Sequence, residues 1–130
     1  MSWASLLSNP WAIKRVYDGN PPELVSVPLH AVDLNREGPT LSLRFDMPIF
    51  PENPPKKWTA QGFDAVQVTL TLGGVRNVSF SGFTTSPVVE ITLTARNGVE
   101  LTVRSPAVEI HAAALTVHIA HVSAYRTATS

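Results

Sequence analysis

The chain has 130 residues, ten basic and ten acidic side chains, and no cysteine. The balanced charge argues against nucleic-acid binding through phosphate contacts, and the absence of cysteine excludes a disulfide scaffold and fits a cytoplasmic protein. No apolar run reaches the roughly 18 residues of a membrane helix, and the first residues do not resemble a signal peptide. We expect a single domain over residues 1–130.

The first 25 residues differ from the rest of the chain. Asn9 and Pro10 predict the start of a short helix, with Asn9 as its cap and Pro10 in its first position. This helix is expected to reach about Val16, before the break at Gly19–Pro22. Residues 1–25 should therefore form a helical and loop cover over the strands. Four of its large side chains are expected to pack against one end of the sheet: Trp3, Trp11, Ile13 and Tyr17.

Strand signals begin after this cover. Apolar residues alternate with polar ones from Val27 onwards, and the alternation changes parity near His30–Ala31, which predicts a bulge. A second strand follows over 41–47, after the turn at 35–39. Pairing Leu34 with Leu41 and Val32 with Leu43 gives a hairpin.

A proline-rich connection, residues 48–57, interrupts the pattern because proline cannot donate to a strand ladder. Alternation resumes over 66–72, a Gly73–Gly74 turn follows, and the next strand begins at 78–80. Residues 82–87 are predicted to form a loop.

The clearest hairpin lies on either side of Asn97–Gly98. A three-residue loop of Arg96, Asn97 and Gly98 places all apolar residues of both strands on one face, whereas a two-residue loop would split them between faces. The resulting register pairs Leu93 with Leu101. We expect a type I turn with a G1 bulge and Gly98 in the left-handed region.

The last strand is predicted from Val108, and it continues towards Ile119 after a second parity change at 112–114. A helix over 107–121 is the alternative, disfavoured by its β-branched residues. Residues 127–130 should form a frayed tail. With strands over 26–126, the sequence predicts a mainly β fold: an antiparallel β-sandwich or a strongly bent, partly closed sheet of seven to eight strands, with a short N-terminal helix.

The sequence contains no recognisable catalytic motif. It lacks a G-x-S-x-G nucleophile elbow, its carboxylates are isolated from one another, and Gly73–Gly74 precedes a strand rather than a phosphate-binding helix. His118 and His121 would lie on opposite faces of a regular strand and could share a metal ion only across a bulge. The sequence therefore predicts no enzymatic activity, no catalytic or metal site and no cofactor.

The proline-rich connection offers the best candidate surface for binding a partner. Together with Trp58, which follows it, the connection provides Phe50, Lys56 and Lys57, and proline lowers the conformational entropy that such a segment loses on docking. In the alternative interpretation, Phe50 and Trp58 fold back and cover the edge of the sheet.

Several segments of the chain resemble the bacterial Immunity protein 50 family over roughly residues 10–125. They are PELVSVPL at 22–29, GPTLSL at 38–43, KW at 57–58, GFDAVQVTL at 62–70, the valines at 75 and 78, and FSGF at 80–83. The resemblance implies a cytoplasmic antitoxin, encoded beside a polymorphic toxin, that protects the producing cell by binding that toxin. It implies no catalytic residues.

Two other functions remain open from the residues alone. One is a general β-sandwich interaction module that binds protein, or carbohydrate through exposed Trp or Tyr side chains. The other is a small-ligand-binding β-barrel, which would contain a deep apolar cavity.

Overall fold

A computed structural model describes residues 2–127 and contains eight antiparallel strands in one open sheet. The predicted mainly β fold is confirmed, and the sheet is not closed. The strands are β1 (Val27–Asn35), β2 (Thr40–Asp46), β3 (Ala65–Gly73), β4 (Asn77–Ser81), β5 (Val88–Ala95), β6 (Val99–Arg104), β7 (Glu109–Ala114) and β8 (Thr116–Tyr125). The helical elements are a 3-10 turn (Trp3–Leu6), α1 (Trp11–Lys14) and α2 (Lys56–Ala60).

The strand order is β4-β7-β6-β5-β1-β2-β3-β8, and β1 joins the two four-stranded halves. Val27 and Pro28 pair with β5, whereas the rest of β1 pairs with β2. The register with β2 shifts between Leu29 and Ala31, which leaves His30 as the bulge predicted from the parity change. Because a bulge bends its strand, one strand can serve both halves.

The halves are also linked at a corner, where β3 continues into β4 and β7 into β8. Three residues separate β3 from β4, and one residue separates β7 from β8. Gly73 pairs with Thr116 on one side of the corner, and Asn77 pairs with Ala113 on the other. The backbone N–H of Leu115 donates to the carbonyl of Gly73 at 3.0 Å. Two long strands therefore bend together from one half of the sheet into the other.

Bending brings the apolar faces of both halves into one hydrophobic core. Every second residue of β3 from Val66 to Leu72 is buried, and the same alternation holds in β5 and β6. The most buried large side chains come from both halves and from the N-terminal cover: Phe45, Ile13, Leu24, Leu41, Leu43, Leu70, Leu72, Leu101 and Ile110. Apolar side chains fill the space between the inner faces of this open sheet. A small-ligand barrel was expected to have a deep cavity there instead.

The hairpin of β5 and β6 has the predicted register, with Leu93 opposite Leu101 and Ala95 opposite Val99. Gly98 has a φ of +106°, as expected for a left-handed residue. The predicted type I turn is wrong, because Asn97 also has a positive φ of 48°. Asparagine tolerates the left-handed region better than most residues, so this turn requires no second glycine.

The N-terminal cover differs from the prediction in two respects. Asn9 does not cap α1, whose N-cap residue is Pro10 and has no side-chain cap bond. Instead, the Asn9 side chain donates to the carbonyl of Ile119 and accepts from its N–H, both at 2.8 Å. Trp3, Ile13 and Tyr17 are buried as predicted, but Trp11 is 62% exposed.

The C-terminal part of the chain is strand rather than helix. The second parity change lies at Leu115, between β7 and β8, one residue beyond the predicted 112–114. Thr127 is held by Asp64, which accepts from its N–H and its hydroxyl, both at 2.8 Å. The remainder of the predicted tail, residues 128–130, lies outside the described residues. Between residues 2 and 127, no helix has the length and apolar character needed to cross a membrane.

Replacing Gly98 by valine should destabilise the protein. A Cβ atom at Gly98 would lie 2.4 Å from the carbonyl oxygen of Ala114, in addition to the strain of a positive φ. Left-handed strain alone costs about 1–3 kcal/mol. Gly19→Val is the matched control, because Gly19 has a φ of +88° and open space around its Cβ position. In denaturant unfolding, Gly98→Val should lose more free energy than Gly19→Val, and an equal or smaller loss would contradict the close approach.

Candidate functional site

The predicted binding segment leaves β2 and returns to β3 through α2. Phe50 and Trp58 are half-buried and pack against the core, and their ring centroids lie 6.2 Å apart at an interplanar angle of 48°. Lys56 and Lys57 begin α2 and are exposed. The aromatic pair therefore folds back onto the protein, as the alternative interpretation expected, but it packs against the core rather than on an edge strand, while the two lysines face solvent. A role of these four residues in partner binding stays a prediction.

The helix α2 was not anticipated in the proline-rich connection. Its N-cap residue is Pro55, and its first residue Lys56 follows at once. Proline pre-sets the backbone φ of a helix start and lacks the N–H that would be left unpaired there. Pro55 therefore immediately precedes a helix, although the proline-rich connection as a whole does not pair as a strand.

The segment 48–60 contacts the turn that follows α1. Tyr17 donates its hydroxyl to the carbonyl of Ile49 at 2.6 Å, and the Asn53 amide donates to Asp18 at 2.8 Å. Burial raises the pKa of the Tyr17 phenol, so its hydroxyl keeps its proton and acts as a donor. A shallow cavity of about 320 Å³ lies between the two segments, near Pro51. We call residues 11–20 and 48–60 together the helical layer.

The helical layer is more basic than the rest of the chain. It contains four basic side chains, Lys14, Arg15, Lys56 and Lys57. Its acidic residues are Asp18 and Glu52, so it has a net charge of +2 within a chain whose formal net charge is zero. Ile49 lies in the same layer and is 59% exposed. The layer thus combines positive charge with exposed apolar surface.

A polar cluster that the sequence did not reveal lies on the outer face of the half of the sheet formed by β1, β2, β3 and β8. Asp46 is the only buried charged residue among those described, at 9% exposure. Its carboxylate lies 3.0 Å from Nε2 of His30 and accepts hydrogen bonds from Tyr125 and, at 3.4 Å, from the Gln67 amide. These four residues belong to β2, β1, β8 and β3, so the cluster ties together one whole half of the sheet.

The Asp46 carboxylate also affects the phenol of Tyr125. Burial, the hydrogen bond to Asp46 and the negative charges of Asp46 and Asp64 raise the pKa of Tyr125 to about 12. Tyr125 therefore remains a protonated donor over the neutral range. Sequence separation explains why the cluster was missed, because Asp46 and Tyr125 are 79 positions apart. The only local signal was the parity change that marks the bulge at His30.

The other histidines do not assemble a metal site. A register shift at Ala120 places His121 opposite Thr69 and His118 opposite Thr71, so both imidazoles lie on the outer face. His118 and His121 would lie on opposite faces of a regular strand, but the bulge in β8 between them places both on the outer face. No group of three or more His, Cys, Asp or Glu side chains within residues 2–127 is arranged to hold a metal ion.

The link between Asp46 and Tyr125 can be tested by titrating the phenol. Because the chain has two tyrosines, Tyr125 is observed alone in a Tyr17→Phe background by phenolate absorbance. Asp46→Asn should lower the pKa of Tyr125 from about 12 towards its ordinary value of 10.0, because the negative charge is removed while burial remains. An unchanged pKa would contradict the contact.

The contact between Asp46 and Tyr125 also predicts how the free energy of unfolding changes at alkaline pH. The folded-state pKa of Tyr125 is raised above 10.0, so its stabilising effect is complete below that pH and is lost as the pH rises towards about 12. In urea unfolding across this interval, the Asp46→Asn variant should therefore lose less stability than the protein with Asp46 intact. An equal loss in both proteins would show that Asp46 does not contribute.

The comparisons with known proteins assign the chain to a family. A family model described as Immunity protein 50 matches residues 9–125, which include both the helical layer and the polar cluster. No curated protein and no solved structure matches the chain. Since the family match covers most of the 130 residues, the chain belongs to the Immunity protein 50 family.

Proposed function

We propose that this protein neutralises a cognate bacterial toxin by binding it directly, without catalysing a reaction. The observation that carries the proposal is the family match over residues 9–125. Direct binding also agrees with the surroundings of two histidines, since His30 lies 3.0 Å from the buried carboxylate of Asp46 and His111 lies 3.1 Å from the carboxylate of Glu109.

We place the toxin interface on the helical layer. Phe50 and Trp58 pack on the core and fix the position of α2, so that Lys56 and Lys57 are presented from a supported surface. The buried Pro51 and the hydrogen bond from Tyr17 to Ile49 hold the preceding segment in the same way. A surface that is ordered before binding loses less entropy when it docks.

Charge indicates which surface of a toxin would fit. The helical layer has a net charge of +2, so the complementary surface is acidic. The half-exposed rings of Phe50 and Trp58 and the exposed Ile49 would form the apolar centre of the contact, with the lysines at its rim. Under this proposal the protein acts in the cytoplasm of the cell that produces the toxin, where a chain without cysteine requires no disulfide.

The proposal is tested with the product of the neighbouring toxin gene. Coexpression should rescue the cells, and the two purified proteins should form a one-to-one complex. The double variant Lys56→Glu/Lys57→Glu should slow association by about 10-fold or more at low salt, because rim charges act mainly on the association rate. Glutamate is favourable in the first turn of a helix, so α2 should be retained.

A matched control separates this interface from a general effect of charge. Arg36→Glu/Arg96→Glu makes the same charge change in two exposed turns, at the end of the sheet far from α2. This variant should associate with the toxin nearly as fast as the unmodified protein. Equal slowing in both double variants would overturn the interface, whereas absence of rescue and of a complex with the unmodified protein would overturn toxin neutralisation.

A further inference from the structure

The two edge strands of the sheet, β4 and β8, differ in how far the rest of the chain covers them. The N-terminal cover occupies part of the β8 edge: the N–H of Ser8 donates to the carbonyl of Val117 at 2.8 Å, and the Asn9 side chain makes its two bonds to Ile119. In the described part of the chain, β4 pairs only with β7. The second edge of β4 is therefore open.

The open edge lacks the features that usually prevent association. Natural edge strands carry charges, proline or a bulge, whereas β4 has the sequence Asn-Val-Ser-Phe-Ser and a regular register with β7. Phe80 and Phe83 are 45% and 52% exposed, and their ring centroids lie 6.1 Å apart. They line a cleft of about 440 Å³ against residues 30–32 of β1. Backbone donors and acceptors thus lie beside exposed apolar surface.

We infer that β4 pairs with β4 of a second copy of this chain, antiparallel across a two-fold axis at Ser79. Pairing must keep each side chain on its own face of the sheet. The register centred on Ser79 satisfies this condition and uses all five residues of β4. It places Val78 opposite the Phe80 of the second copy on the inner face, and Asn77 opposite its Ser81 on the outer face. The two sheets would become one continuous sheet.

The charges around β4 favour a second copy as the occupant. No charged residue occurs from Asn77 to Val89, so the two edges bring no like charges together. Arg76 precedes β4, and Glu109 lies opposite Ser81 on the neighbouring strand. Both charges are engaged within their own copy, since the Arg76 guanidinium donates to the Asn97 carbonyl and Glu109 lies 3.8 Å from Arg104 and 3.1 Å from His111. The edge that each copy offers is therefore uncharged and self-complementary, as an isologous contact requires.

The inference is tested by measuring molar mass over a dilution series by sedimentation equilibrium. The unmodified protein should move from the 14.1 kDa of the single chain towards twice that mass as its concentration rises. Ser79→Lys should keep the single-chain mass, because two like charges would face each other across the axis. A single-chain mass for the unmodified protein at every concentration would overturn the inference.

Two further variants make the result specific to the β4 edge. Thr92→Lys introduces the same charge at an exposed outer-face position of β5, a strand that has neighbours on both sides. The Thr92→Lys variant should therefore dimerise like the unmodified protein. Ser79→Asp should be monomeric alone, yet mixing it with Ser79→Lys should restore the doubled mass. If Ser79→Lys and Ser79→Asp both dimerise as strongly as Thr92→Lys, or if their mixture stays monomeric, the pairing is overturned. This test does not depend on the proposed function.

Discussion

The fold depends on a corner at which chain segments approach too closely to leave room for side chains. A Cβ atom on Gly98 would lie 2.4 Å from the carbonyl oxygen of Ala114, and one on Gly74 would lie 2.7 Å from the Leu115 side chain. The guanidinium of Arg76 donates to the Asn97 carbonyl at the same place. Because the backbones meet here, two long strands can bend from one half of the sheet into the other, and both apolar faces reach one core.

The helical layer includes α2, which connects the end of β2 to the start of β3. This connection lies at the opposite end of the two strands from the corner. The polar cluster of Asp46, His30, Tyr125 and Gln67 braces the outer face of the same half of the sheet. A sheet fixed at its corner and across this face gives the helical layer a rigid support. The proposed toxin interface therefore needs no large rearrangement on binding, which suits the proposed role of forming a stable complex with a toxin.

Short-range pattern was enough to predict the strands and their local registers. Alternation beside Asn97–Gly98 identified the pairing of β5 and β6, and a parity change located the bulge at His30, because both depend on a period of two residues. The link from Asn9 to Ile119 and the bond from Tyr125 to Asp46 span 110 and 79 positions. Such contacts follow from how the sheet bends, which no local pattern encodes. In the candidate site, the sequence indicated the segment that contains Phe50 and Trp58 but not the helix that presents the lysines, and the role of these residues in binding stays a prediction.

The central functional claim is that the helical layer contacts the toxin. Hydrogen–deuterium exchange of the backbone amides, measured with and without the toxin, tests it most directly. The account predicts slower exchange in the complex at residues 11–20 and 48–60, with the corner at 73–76 and 96–98 unchanged. A complex in which residues 48–60 exchange as fast as in the free protein, while another surface becomes protected, would contradict it.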